Sequence, residues 1–332
     1  RGLGDVYKRQ ADEALKWLDD HQAFSPDKPF FMYWAPGAVH GPHHVAKEWA
    51  DKYTGKFDDG WDAYRERVYQ RQLEMGIIPQ GTKLTERDKT MQGWDDIPEE
   101  QRPFQRRLME VFAGFVEHTD HQVLRMVAGL EERGLRDNTM IVYIWGDNGS
   151  SSEGVRGTVS ELLAQNQIAT TYEQQINALN ELGGLDELGS HKVDNMYHAG
   201  WAWAGGTPFK GTKLVASYFG GTRNPLVISW PKRIKPSPEV RSQFHHVVDI
   251  VPTIYDILGI TPPKVVSGHK QMPFDGVSMA YTFDDADAPT QNTEQFFDNF
   301  ASRGIYKDGW MACTLGPSLP WDPANNPARI KA

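Results

Sequence analysis

Residues Met140–Gly154 read MIVYIWGDNGSSSEG, and the character of the chain changes in the middle of that stretch. Apolar and aromatic residues of strand type run to Trp145, and then Gly146, Asp147, Asn148 and Gly149 follow at once. Asn-Gly is a common tight-turn signal, and a turn alone would account for it. The alternative is a metal site. Carboxylate and carboxamide oxygens are hard donors of the kind that Ca²⁺ or Mg²⁺ selects. Ligands of open α/β sheets gather just beyond the carboxyl ends of the strands, which is where Asp147 and Asn148 stand.

Working outward, two more apolar runs of strand length are bounded by prolines: PFFMYWAP at 29–36 and PLVISWP at 225–231. Helical patterns separate them. ADEALKWLDDH at 11–21 is amphipathic. From Leu108, apolar residues recur at Val111, Phe112, Phe115, Val123, Met126, Val127 and Leu130, with Gly134 as a stop. The stretch 161–188 is helical and reads as inserted, and HHVVDIVPTIYDILGI ends near Gly259. Residues 47–103 form a polar excursion of loops and short helices. Strands alternating with helices predict an α/β fold, a mostly parallel mixed sheet flanked by helices.

Composition narrows the function. The 332 residues are 39% hydrophobic and 24% charged, ordinary values for a globular protein. A net charge of −9 and a pI near 5.7 argue against nucleic acid as a partner. No run is long and apolar enough to span a membrane. The one cysteine, Cys313, excludes an intrachain disulfide.

The polar groups placed past strand ends are few. GAVHGPHH carries His40, His43 and His44; GDNG carries Asp147 and Asn148; TPFKGTKLVASYFGGTRNP carries Lys210, Lys213 and Arg223. Taken singly, loop histidines are ordinary structural groups and the lysines ordinary solvated charges. Taken together, PFFMYWAPGAVHGPHHVAKEWADKYTGKF, FVEHTDHQVLRMVAGLEERGLRDNTMIVYIWGDNG, TPFKGTKLVASYFGGTRNPLVISWP, HHVVDIVPTIYDILGI, DGVSM and RGIYKDGW resemble, in the same order, the type I sulfatases of the alkaline phosphatase superfamily, nearest the arylsulfatase branch. The resemblance covers almost everything from residue 11 to residue 313.

The resemblance implies an α/β sulfatase fold and hydrolysis of sulfate monoesters. It implies a Ca²⁺ ion held partly by Asp147 and Asn148, and catalytic contacts to sulfate from His40 and Lys213. The spacing here is offset by about one residue from the commoner family pattern, so Lys210 is the reserve candidate for the lysine, and His198 is a further substrate contact. A sulfate ester must spread growing negative charge over its oxygens and its departing alkoxide; a divalent cation and a lysine stabilise that charge, and a histidine can protonate the leaving oxygen.

The family nucleophile, a formylglycine made by a maturation enzyme from Cys-x-Pro-Ser-Arg, has no counterpart motif in these residues; Cys313 lies in ACTLGP. The expectation is therefore a fragment, inactive as it stands. Residues 1–10 would be a non-native scar, 11–289 a partial catalytic domain with a helical insertion at about 151–200, and 290–332 the start of a small α+β subdomain. Compartment and oligomeric state stay open. The competing readings are a phosphonate or phosphate monoester hydrolase of the same superfamily and a binder of sulfate esters without activity.

Overall fold

In the computed structural model, which describes residues 3–146, 148–166, 168–237, 239–316 and 318–322, the chain begins with helix α1 (Leu3–Phe24). Two helices cross the polar excursion, α2 (Lys47–Asp51) and α3 (Gly60–Glu74), and α4 (Arg102–Glu132) follows as a 31-residue spine. Strand β1 (Ile141–Ile144) leads into the GDNG loop. The region read as an insertion holds β2 (Arg156–Thr158), α5 (Glu161–Gln165), α6 (Tyr172–Leu182), β3 (Met196–His198) and α7 (Ala199–Gly205). Then come α8 (Phe219–Thr222), β4 (Leu226–Ser229), α9 (Ile250–Ile257), and the two-residue strands β5 (Val265–Val266) and β6 (His269–Lys270). Strands β7 (Glu294–Asn299), β8 (Ser302–Lys307) and β9 (Trp310–Thr314) form a three-stranded antiparallel sheet.

The spine shows why sequence becomes structure here. Leu108, Val111 and Phe115 are fully buried along one face of α4. Pro103 in its first turn costs no hydrogen bond, because the first amide groups of a helix have no partner inside it. Its end is closed by Gly134, at φ +66°, with Gly134 N bonded to Glu131 O and Leu135 N to Leu130 O. That pair of bonds satisfies the last carbonyls and needs a left-handed residue, which glycine supplies without strain. Against α4 packs α1, whose Tyr7 ring lies 5.4 Å from that of Phe115. The helix is continuous from Leu3, and Tyr7 and Ala11 are buried on it.

An aromatic nest joins α3 to α7. Trp61 meets Trp201 edge-on at 5.5 Å and Trp94 at 4.9 Å, and Trp201 donates its indole N–H to Gln105 O of the spine at 3.1 Å. Edge-to-face rings of this kind add stability beyond the area they bury.

Two expectations about the sheet are corrected. β1 pairs with β4 antiparallel, Ile141 opposite Ser229 and Ile144 opposite Leu226. All pairings between the strands named above are antiparallel, and the parallel contact is an isolated bridge between Ser160 and Asp194. Residues 29–36 are not a strand: no neighbour among the described residues supplies a hydrogen-bond ladder, and Phe31 and Tyr33 are 72% and 84% exposed. An apolar run becomes a strand only when a partner takes its backbone groups. The mixture of helices and sheets, an α/β architecture, is as expected.

Candidate active site

Gly149 and the glycine turn before β4 are pressed together backbone to backbone. A Cβ on Gly149, at φ +81°, would lie 2.0 Å from Gly220 O, and one on Gly221 would lie 2.4 Å from Val215 O. Asn224 ties the two loops by accepting Gly149 N at 3.1 Å. This close approach sets the strip that follows the loop against the segment that bears Lys213. Lys213 N donates to Ser150 O at 2.9 Å, and the buried hydroxyls of Ser152 and Thr212 meet at 2.7 Å.

Lys213 then reaches inward. Its Nζ donates to Glu153 Oε2 at 2.8 Å and lies 3.2 Å from Nε2 of His40, which arrives from the loop after residue 36. The lysine and glutamate side chains are only 14% and 22% exposed, whereas that of His40 is 55% exposed and open to an incoming ligand. The residue after the lysine, Leu214, sits at φ +76°, a left-handed conformation that costs an ordinary residue about 1 kcal/mol or more.

Two glutamates that the sequence reading did not single out frame the pair. Glu153 Oε2 accepts from Ser151 Oγ at 2.7 Å as well as from Lys213. Burial pushes its carboxyl up, but the bonds from Lys213 and Ser151 outweigh burial and hold it below its ordinary value. Glu161, the first residue of α5, places Oε1 3.9 Å from His40 Nδ1 and accepts from Gln165 at 2.8 Å. Burial raises its carboxyl, opposed by His40. Gly41 is needed beside it, since a Cβ there would come within 2.6 Å of that carboxylate. The sequence carried one signal for Glu161, its place directly after the cap residue Ser160. For Glu153 it carried none.

The other candidates separate. Lys210 holds its ammonium 4.9 Å over the Tyr218 ring and lines an open depression of about 610 Å³ with Lys83, Arg87 and Lys89. His198 is corrected from a substrate contact to an interior group. It is 2% exposed, lies 4.3 Å from Trp61 in a stacked arrangement, and caps α7 by accepting Gly200 N at 2.9 Å. Burial lowers its pKa to about 3, and it lowers that of His43, equally enclosed, to about 3. Asp147 lies outside the described residues. Asn148 is exposed at the mouth of β1, a suitable hard donor. Among the described residues no group of three or more His, Cys, Asp or Glu could hold a metal ion, so the described donors fit a divalent cation in kind but not in number.

A cation and an imidazole converging at an open edge, backed by carboxylates, form a site that can hold an oxyanion and move a proton to it. The sulfatase family profile matches residues 6–260, and the chain belongs to the sulfatase family. It is 30% identical over 258 residues to an uncharacterized sulfatase of Schizosaccharomyces pombe, covering 77% of this chain and 43% of that protein. It is 25% identical over 279 residues to an arylsulfatase of Klebsiella aerogenes, covering 83% and 55% respectively. The solved structure of Ps i-CgsB in complex with k-i-k-neocarrahexaose superposes with a TM-score of 0.51 at 17% identity, over 94% of this chain and 47% of that one, a likeness of fold. The chain thus spans about half the length of the curated relatives it matches. The family generally uses a divalent metal. Among the described residues no helix is long and apolar enough to cross a membrane.

Proposed function

We propose that the protein hydrolyses sulfate monoesters, with Lys213 anchoring the sulfate oxygens and His40 protonating the departing oxygen. The meeting of Lys213 Nζ with His40 Nε2 at 3.2 Å, across 173 residues of chain in a member of the sulfatase family, is the observation that supports this most. An ammonium fixed beside developing negative charge stabilises the transition state without having to reorganise. Asp147 and Asn148 would hold the divalent ion, most simply Ca²⁺, which when bound supplies further positive charge to the sulfate group. The nucleophile, in this reading a formylglycine installed by a maturation enzyme, is not supplied by these 332 residues. Lys210, engaged with Tyr218, serves as an outer contact at most.

Steady-state rates of the full-length protein on aryl sulfates of graded leaving-group acidity test this. Lys213→Ala should lower kcat/KM by roughly 10²–10³-fold, the usual cost of one preorganised donor, while Lys210→Ala should change it far less. His40→Ala should hurt most where the leaving group is poor, because a stable phenolate needs no proton. If Lys210→Ala is the crippled variant, or if His40→Ala slows every substrate equally, these roles are wrong. Turnover of phosphate monoesters in preference to sulfates would favour the phosphoryl-transfer reading instead.

A further inference from the structure

We propose that Glu153 is a positioning residue: it holds the Lys213 ammonium on Nε2 of His40 and thereby fixes His40 as the tautomer that carries its proton on Nδ1. This deepens the proposed sulfatase reading and rests on it for its meaning, though not for its test. The hydrogen-bond partners decide the tautomer. A lysine ammonium can only donate, so Nε2, 3.2 Å from Lys213 Nζ, is the accepting nitrogen. A carbonyl oxygen can only accept, so Nδ1, 2.8 Å from Gly41 O, is the nitrogen that bears the proton. A neutral imidazole in water prefers the opposite arrangement, with the proton on Nε2, so the surroundings hold His40 against its own preference.

What keeps the ammonium there is a built frame. Lys213 is cross-linked to the strip 150–153 at three points: its own N to Ser150 O, Thr212 to Ser152, and Nζ to Glu153. The first two fix the backbone; the third is the one that aims the long, flexible side chain. The Glu153 carboxylate is itself held, because Ser151 Oγ donates to it and also accepts Glu153 N at 3.3 Å. The charged groups facing His40 are Lys213 at Nε2 and Glu161 beyond Nδ1, with Glu153 behind the lysine. Glu161, at 3.9 Å, is too far for a hydrogen bond to His40 and cannot set the tautomer by itself. In the reaction, bound sulfate would draw the Lys213 ammonium off Nε2, and that nitrogen would take a proton from solvent to give the imidazolium. The same proton would pass to the leaving oxygen, returning His40 to its Nδ1–H form; Glu153 keeps the lysine within reach of both groups.

Two-bond ¹H–¹⁵N spectra of the 332-residue chain labelled at histidine report the tautomer directly and require no turnover. In the unaltered chain at neutral pH, His40 should show a protonated Nδ1 and a bare Nε2. Glu153→Ala and Lys213→Met should both move it toward the Nε2–H form. Glu153→Gln, whose carboxamide oxygen still accepts from Nζ, should preserve the original form, which a purely electrostatic role for Glu153 would not allow. If Glu153→Ala leaves the tautomer unchanged, Gly41 O alone sets it and the proposal fails, and it fails equally if Glu153→Gln behaves as Glu153→Ala. In the full-length protein, Glu153→Ala should cost about tenfold or more in kcat/KM and Glu153→Gln much less. A full-length protein with no sulfate-ester turnover would sink the sulfatase reading and leave the spectra to decide this one.

Discussion

Arg65, on α3, donates through its guanidinium to Pro208 O at 3.0 Å, five residues ahead of Lys213, and the contact is only one of several. The same side chain, 1% exposed, reaches Trp203 O at 2.7 Å, Phe209 O at 2.9 Å and Thr85 Oγ1 at 2.8 Å. Among the described residues no carboxylate is hydrogen-bonded to it. A buried cation is here solvated by carbonyls and hydroxyls, with the Trp203 ring 4.1 Å below it, and burial brings its pKa down to about 10. One arginine thereby fastens the polar excursion to the loop that delivers the lysine.

Removing that clasp should be expensive. Arg65→Ala leaves several buried carbonyls without donors, each worth about 1–3 kcal/mol, so a loss of at least about 3 kcal/mol is expected from urea denaturation. Arg65→Lys should restore little of it, because an ammonium is a point donor and lacks the planar fork. A loss below about 1 kcal/mol for Arg65→Ala would show that the loops are held elsewhere.

The joint between the GDNG loop and the glycine turn allows a paired comparison. Gly149→Ala must accept both φ +81° and a collision with Gly220 O, so a loss of about 2 kcal/mol or more is expected. Gly76→Ala has a similar φ of +67° but open space around it, and it should cost only about 1 kcal/mol. Thermal denaturation of the two variants measures the difference. Equal losses would mean that the backbone angle alone matters and that the loops can part.

Stability should fall on mild acidification because of His43 and His198. Both are buried neutral, with folded values near 3 against 6.5 when unfolded. The unfolded chain therefore binds more protons below pH 6.5. Their contribution is fully present above that value and is lost as the pH falls toward 3. Each can remove up to about 1.4 kcal/mol per pH unit in that window. Urea midpoints measured between pH 7 and pH 5 should decline, and His198→Asn, which can still cap α7, should flatten the decline. An unchanged slope in His198→Asn would mean that this histidine charges freely in the folded protein.

Calorimetry on the full-length protein tests the metal proposal without reference to catalysis. Ca²⁺ binding should be seen, should vanish in Asp147→Ala, and should weaken in Asn148→Ala, since affinity for a hard ion follows the number and charge of its oxygen donors. Binding unaltered by Asp147→Ala would remove that residue from the site.

The sequence by itself determined the helical elements and the residue types of the candidate site. The spacing of Leu108, Val111 and Phe115 with a stop at Gly134 is a helix wherever it is placed, because the apolar period and the terminal glycine are properties of the chain. The dispersed runs around His40, Asp147 and Lys213 carry the resemblance to the sulfatase family by themselves. Tertiary structure alone decided the rest. PFFMYWAP has strand composition and yet is no strand, since a ladder needs a neighbour that residues within the run cannot supply. His198 reads like His40 in the sequence, but one is roofed by Trp61 and the other stands open beside Lys213. Glu153 and Glu161 gain their meaning only from what lies across from them, 60 and about 120 residues away along the chain. Residue type and spacing are encoded locally, whereas burial, counter-charge and hydrogen-bond geometry are made by segments that meet only when the chain has folded.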